Sequence, residues 1–197
     1  YDRRRSRGAA RAVAAGLTVQ PSREALADLL GSPEESDDLV DLFERTTLEL
    51  WSRPVEEVLA ECQQLVAAAR ADHCDHATVE LAPDEAVRLA CALTLSEVRG
   101  ELWTDLRRAE ADADRLLWLQ VLEHTTERFR PQVLCLLATA CWLGGDGAMM
   151  AVCLEAAEAM VLTDPTLEPA LLGILQMVQA DGHPPSMWES ELLPLLR

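Results

Sequence analysis

PQVLCLLATACWLGGDGAMMAVCLEAAEAMVLTDPTL, residues 131–167, is the stretch that decides the fold. Two Ala- and Leu-rich runs, 131–143 and 147–162, are separated by Gly144-Gly145-Asp146-Gly147, and Asp164-Pro165 follows the second. Ala and Leu lose little side-chain entropy in a helix, and Gly, Asp and Pro are the residues of turns. The stretch therefore reads as helix, tight turn, helix, with Asp146 capping the second helix. So short a link makes the two helices antiparallel neighbours.

Working outward, further helices are expected at about 112–125, 167–180 and 185–196, again with short links. One helix pair from Pro131 to Leu167 comes near the ~34-residue period of tetratricopeptide repeats. Trp142-Leu143-Gly144 is contiguous where that repeat spaces Trp from Leu-Gly, so the half is tetratricopeptide-like and no more.

Upstream, Gly8 to Ala15 reads as a short helix ended by Gly16, and Pro21-Ser22 open a helix to Leu30 closed by Gly31. Ser32-Pro33-Glu34-Glu35 reads as the next helix start, with Ser32 as N-cap. Leu39, Leu42, Phe43, Thr46 and Leu50 then form one apolar stripe, and Val55, Val58, Leu59, Cys62, Leu65, Val66 and Ala69 another beyond Pro54. Ala71 to Leu81 breaks the pattern and reads as a loop. The helix opened by Pro83-Asp84-Glu85 spreads its apolar residues all round, the mark of a centrally buried element. Ser96 re-caps the chain before Val98, Leu102, Trp103 and Leu106. The expected fold is all-α, built of antiparallel helix pairs. It divides into a basic arm and short helix at 1–20, an N-terminal helical subdomain at 21–108, and tetratricopeptide-like hairpins at 109–197.

Composition agrees. With 49% hydrophobic residues the 197-residue chain folds, and with 4% aromatic residues its core must be Leu, Ala and Val. Ile174 is the single isoleucine, which weakens the case for a sheet. All 17 basic residues are Arg. Without Lys there is no Schiff-base chemistry, phosphate-loop Lys or kinase-type Lys. The lack of Lys and Asn together fits a high-GC bacterial genome.

Residues 1–12 hold five Arg against Asp2, a net of +4, so the remainder carries −17 − 4 = −21. Such an acidic body repels nucleic acid and anionic membrane, neither of which is expected as a partner, and the arm reads as a solvated linker. Homo-oligomerisation would need these acids to lie away from the interface. No apolar run reaches the ~20 residues of a membrane span, and no apolar signal core follows the N-terminal charges. A chain that begins at Tyr1 is expected to be a piece of a longer one. Cys91, Cys135, Cys141 and Cys153 sit among apolar residues as buried reduced thiols, which points to the cytoplasm.

Three stretches carry a family resemblance. They are Ala15-Gly16-Leu17 with Pro21-Ser22-Arg23-Glu24-Ala25-Leu26, then Val98-Arg99 with Leu102-Trp103, then the run from Ala140 to Ala148 followed by Asp164-Pro165 and Gly182-His183-Pro184-Pro185-Ser186. In this order the chain resembles the C-terminal part of the actinobacterial family catalogued as domain of unknown function 4192, over most of residues 10–188. Gly100 departs from the acidic residue often found there, and the helix between Gly147 and Pro165 is longer by about a turn. The resemblance implies an α/β region ahead of this chain and brings no mechanism with it.

Four residues are the binding candidates. Arg99, Trp103 and Arg107, at i, i+4 and i+8, would share one helical face as a recognition stripe for an acidic or aromatic group, and Trp142 would line a pocket. Against this, Trp103 suits a core position with Arg99 stacked on it and paired to Glu97 or Glu101. His73-Cys74-Asp75-His76 could supply metal ligands, but zinc sites bring paired ligands from two places, so no metal is expected. Gly144 to Gly147 lacks the Gly-Lys-Ser/Thr and preceding strand of a phosphate cradle. Glu123 and His124, adjacent on a helix, do not face each other. No nucleophile elbow occurs, and Met149, Met150 and Met160 read as core filler. The expectation is a helical module that binds a protein, or its own N-terminal region, with no catalytic residue and no cofactor. The alternative is a structural cap on an enzyme or ligand-binding protein whose site lies mostly in that N-terminal region.

Overall fold

A computed structural model describes residues 22–31 and 36–196. The short helix at 8–15, the basic arm and the Ser32-Pro33-Glu34-Glu35 start lie outside the described residues. Helix α1 (Arg23–Asp28) is capped by Ser22, whose Oγ accepts from Ala25 N at 3.2 Å. It ends at Gly31, whose φ of +59° is one a Cβ would strain. Helix α2 (Asp37–Trp51) follows. Ser36 is its N-cap, with Oγ accepting from Leu39 N at 3.3 Å and Asp37 and Asp38 complementing the helix dipole.

Pro54 opens α3 (Val55–His76), which takes in the first part of the segment expected as a loop and leaves residues 77–82 as the loop. Ala71 to Asp75 contain no Gly or Pro to break a helix, and the chain turns out only at Ala77, in the left-handed region at φ 56°. Helix α4 (Pro83–Ala92) is the expected central element, with Ala86, Val87, Leu89, Ala90 and Cys91 sealed from solvent. Helix α5 (Ser96–Thr104) and a 3₁₀ turn at Arg108–Glu110 lead into α6 (Ala111–Glu123).

A second 3₁₀ turn, Glu127–Phe129, precedes α7 (Arg130–Leu143), then come α8 (Gly147–Thr163), a 3₁₀ turn at Pro165–Leu167 and α9 (Leu172–Ala180). A π turn, Trp188–Leu192, and α10 (Leu193–Leu196) close the fold. Among the described residues there is no strand. Every residue of α7 but Gln132 is buried, because α6, α8, α9 and α4 pack around it. One apolar cluster runs from Leu26 to Leu193.

The α7–α8 link is the expected tight turn. Gly145 sits at φ +82°, and Asp146 caps α8, its Oδ1 accepting from Met149 N at 3.0 Å. Gly145→Ala is expected to cost about 1 kcal/mol, because a Cβ in that region meets the neighbouring carbonyl. A lower urea midpoint at unchanged slope would show it.

Two charge networks tie the N-terminal helices. Arg88 grips Glu49 (2.7 and 2.8 Å) and Glu61 (2.6 Å), and Arg53 bonds the same two acids at 3.3 and 2.6 Å, closing a ring over α2, α3 and α4. Deeper in, Arg70 on α3 meets the fully buried Asp114 through Nε (2.8 Å) and Nη2 (3.1 Å). Its Nη1 contacts Asp105 at 2.7 Å and Glu110 at 3.1 Å.

Candidate functional site

The four binding candidates are built into the frame. Helix α5 stops at Thr104, so Arg107 lies beyond it in extended backbone, and the expected single face of Arg99, Trp103 and Arg107 does not form. Leu106, buried in the turn after Asp105, ends the helix early. Arg99 Nη1 donates to Leu93 O at 2.9 Å, at the C-terminus of α4, and its charge reaches Glu97 without an ion pair to Glu97 or Glu101. Arg107 Nη1 donates to Thr104 O and Leu106 O at 2.7 and 2.8 Å. Both cations sit on helix C-terminal carbonyls, where the dipole is negative.

Trp103 and Trp142 do come together, through a third tryptophan. Trp188 packs its ring 5.2 Å from Trp103 and 6.1 Å, edge-on, from Trp142. All three indoles are buried and all three N–H groups are used: Trp103 on Thr139 Oγ1 (3.0 Å), Trp142 on His183 O (2.9 Å) and Trp188 on Leu106 O (2.8 Å). This cluster locks the C-terminal segment to α5 and α7.

The buried cysteines are unpaired and not poised for attack. Burial pushes the Cys91 thiol up to about 11 and those of Cys62 and Cys135 to about 12. Cys153 is raised by its hydrogen bond with Cys141 and by burial. A thiol so raised stays protonated and is a poor nucleophile. His73, Cys74 and Asp75 fall in the last turn of α3, and no three metal-ligating side chains converge among the described residues.

Two open clefts flank the Leu30–Gly31 turn. One, of about 680 Å³, lies between α1, α7 and α8. The other, of about 900 Å³, lies between α1, the end of α3 and α6 and is lined by Leu116, Gln120, Glu123 and His124. Between them, buried Arg130 donates to Leu30 O (2.7 Å), Gly31 O (2.8 Å) and Leu122 O (3.2 Å), stapling the C-termini of α1 and α6. Arg130→Ala is expected to release α1, leaving Leu30 and Gly31 carbonyls unpaired. Faster amide exchange and proteolysis across residues 22–31, with the α7–α8 hairpin unchanged, would report it.

Among the described residues, α9 is a surface feature that the core does not explain. Its sequence, Leu172 to Ala180, contains no charged residue. Leu172, Leu175 and Val178 face inward against α7 and α8. Ile174 is 38% exposed and Met177 61%, and with Ala170 and Gly173 they form an outward stripe at spacings of three and four. Only Gln176 and Gln179 are polar in this helix, so the face it keeps in water is mostly apolar. Nothing lies within 4 Å of where a Cβ on Gly173 would be, so another backbone could approach there closely. Leu48 and Trp51 on α2 are also exposed, at 71% and 61%, but α2 carries Glu44, Arg45 and Glu49, and Trp51 Nε1 is bonded to Thr94 Oγ1 at 3.0 Å. No described helix is long and apolar enough to cross a membrane.

No curated protein and no solved structure matches the chain. One family model does, described as "Domain of unknown function (DUF4192)", over residues 1–185 of 197.

Proposed function

The chain belongs to the family of the domain of unknown function DUF4192, and from that footing we propose that it is a protein–protein interaction module whose docking face is the outer side of α9. The supporting observation is the uncharged helix with Ile174 and Met177 held in solvent. In this reading α7, α8 and α9 act as a tetratricopeptide-like scaffold. A link of three residues folds α8 back on α7, and α9 packs on both. The cytoplasm is its compartment, supported by six free cysteines. Nucleic acid and membrane are not its partners, in keeping with the net charge of −17.

The test is purification of the full-length protein from its host, wild type and Ile174→Ser/Met177→Ser. Met177 is mostly exposed and Ile174 somewhat more than half covered, so the double substitution is expected to cost about 1–2 kcal/mol and leave the protein folded, which circular dichroism checks. A stoichiometric protein partner present with the wild type and lost from the folded variant supports the reading. The same partner retained by the variant contradicts it.

A second reading, a cap over a ligand site completed by a preceding region, is favoured by the cleft that holds Glu123 and His124. A small molecule co-purifying with full-length protein and lost on His124→Ala would support that instead.

A further inference from the structure

We infer that the element docking on α9 is a basic amphipathic helix of a separate protein; this rests on the reading of α9 as the docking face. The argument is charge. From Pro131 to Leu196 the chain has acidic side chains at eight positions and no Lys or Arg. Exposed acids bracket α9: Asp164 and Glu168 precede it and Asp181 follows it. None has an Arg partner within salt-bridge distance among the described residues, and Asp181 meets only His183, at 3.6 Å. Elsewhere the protein matches its acids with Arg, as in the Glu49–Glu61 and Asp114 networks. The half that exposes an uncharged helix thus supplies no counter-charge of its own, and what reaches it comes from elsewhere, as Arg23 does on Glu155 and Arg128 at longer range on Asp164.

An incoming helix with a Leu/Ala/Met stripe would cover Ile174 and Met177 and approach closely at Gly173, with Arg or Lys on its flanks facing Asp164, Glu168 and Asp181. Opposite charges at the rim would speed encounter and set specificity, while the apolar stripe supplies the affinity. A second copy of this acidic half would bring like charges to the same rim.

Fluorescence anisotropy tests this with a synthetic helical peptide of about 18 residues carrying Leu at i, i+3, i+4 and i+7 and Arg on both flanks. A control peptide has the same Leu positions with Glu flanks. The Arg peptide is expected to bind the wild type at least about tenfold more tightly than the Glu peptide. That binding should weaken from about 0.05 to about 0.5 M salt as the charges are screened. It should be lost with Ile174→Ser/Met177→Ser and kept with Leu48→Ser/Trp51→Ser. Equal binding to wild type and to Ile174→Ser/Met177→Ser would show only attraction to an acidic body and overturn the inference. No preference between the peptides, while the host partner is still lost from Ile174→Ser/Met177→Ser, would overturn the basic helix and leave the docking face standing. Concentration-dependent dimerisation abolished by the same variant would make the occupant a second copy and also overturn it.

Discussion

Arg70→Ala is expected to lower stability by about 3–5 kcal/mol, because it strands the carboxylate of Asp114 in the core. Asp114 is 0% exposed, and its two oxygens are held by the Nε and Nη2 of Arg70. Asp105 and Glu110 are half-exposed and can turn to water when Arg70 is gone. For a chain of this size the loss corresponds to a fall in melting temperature of roughly 10 °C.

The pH dependence carries the same signature. Burial raises the Asp114 carboxyl from its ordinary 3.8 to about 6, against the hydrogen bonds and charge of Arg70, which act to lower it. An acid raised by folding holds its proton better when folded. Its stabilising contribution is therefore complete below about pH 3.8 and is lost as the pH rises through about 6. Wild type should gain stability relative to Asp114→Asn between about pH 7 and about pH 5, and the deficit of Arg70→Ala should shrink over the same range. Glu49 and Glu61 run the other way. The Arg88 hydrogen bonds lower Glu49, and those of Arg88 and Arg53 outweigh burial, the largest single influence on Glu61, so both lie below the ordinary 4.5. Their contribution is present above that value and lost as the pH falls through their lowered ones, so this ring weakens in acid. A cost for Arg70→Ala under about 1 kcal/mol at neutral pH would show that Asp114 is not the buried charge described.

The second large effect is expected at Trp188. Trp188→Ala removes a ring that is 1% exposed, contacts Trp103 and Trp142 and anchors the C-terminal segment through Leu106 O. Such a cavity costs about 3–5 kcal/mol. Residues 184–196 should lose amide protection first, since beyond Trp188 they are tied to the stretch between α5 and α6 by the Arg108 N–H donating to Glu189 Oε1 at 3.0 Å. Trp51→Ala, at a ring 61% exposed, should cost less than about 1 kcal/mol. Urea denaturation of the two variants side by side distinguishes them, and equal losses would contradict the cluster.

Local signals were legible where a single turn decides the outcome. The Gly144–Gly147 break and the Asp146 cap are chemistry readable in four residues, and the all-round apolar face of α4 was legible as burial. The end of α3 was not, because Ala71 to Asp75 carry no breaker and only the left-handed Ala77 stops the helix. The cap of α2 was not read either, because Ser36 stands directly before Asp37 and Asp38 and behind the stronger-looking Ser32-Pro33 pair. Trp188 passed unmarked because its partners Leu106 and Trp103 are far away in sequence and only tertiary packing joins them. The outward stripe of α9 was hidden for a different reason. A short helix with no charge reads as core, and one face of this helix is core.

The most direct measurement is site-specific photo-crosslinking in the host, with the reactive group placed at Met177 in one protein and at exposed Glu158 of α8 in another. The account expects Met177 to capture one defined protein and the linked peptide to lie in a basic amphipathic helix, with Glu158 giving no such product. The same products from both positions, or none from Met177 in a folded protein, would mean that the outer face of α9 is not where another protein sits.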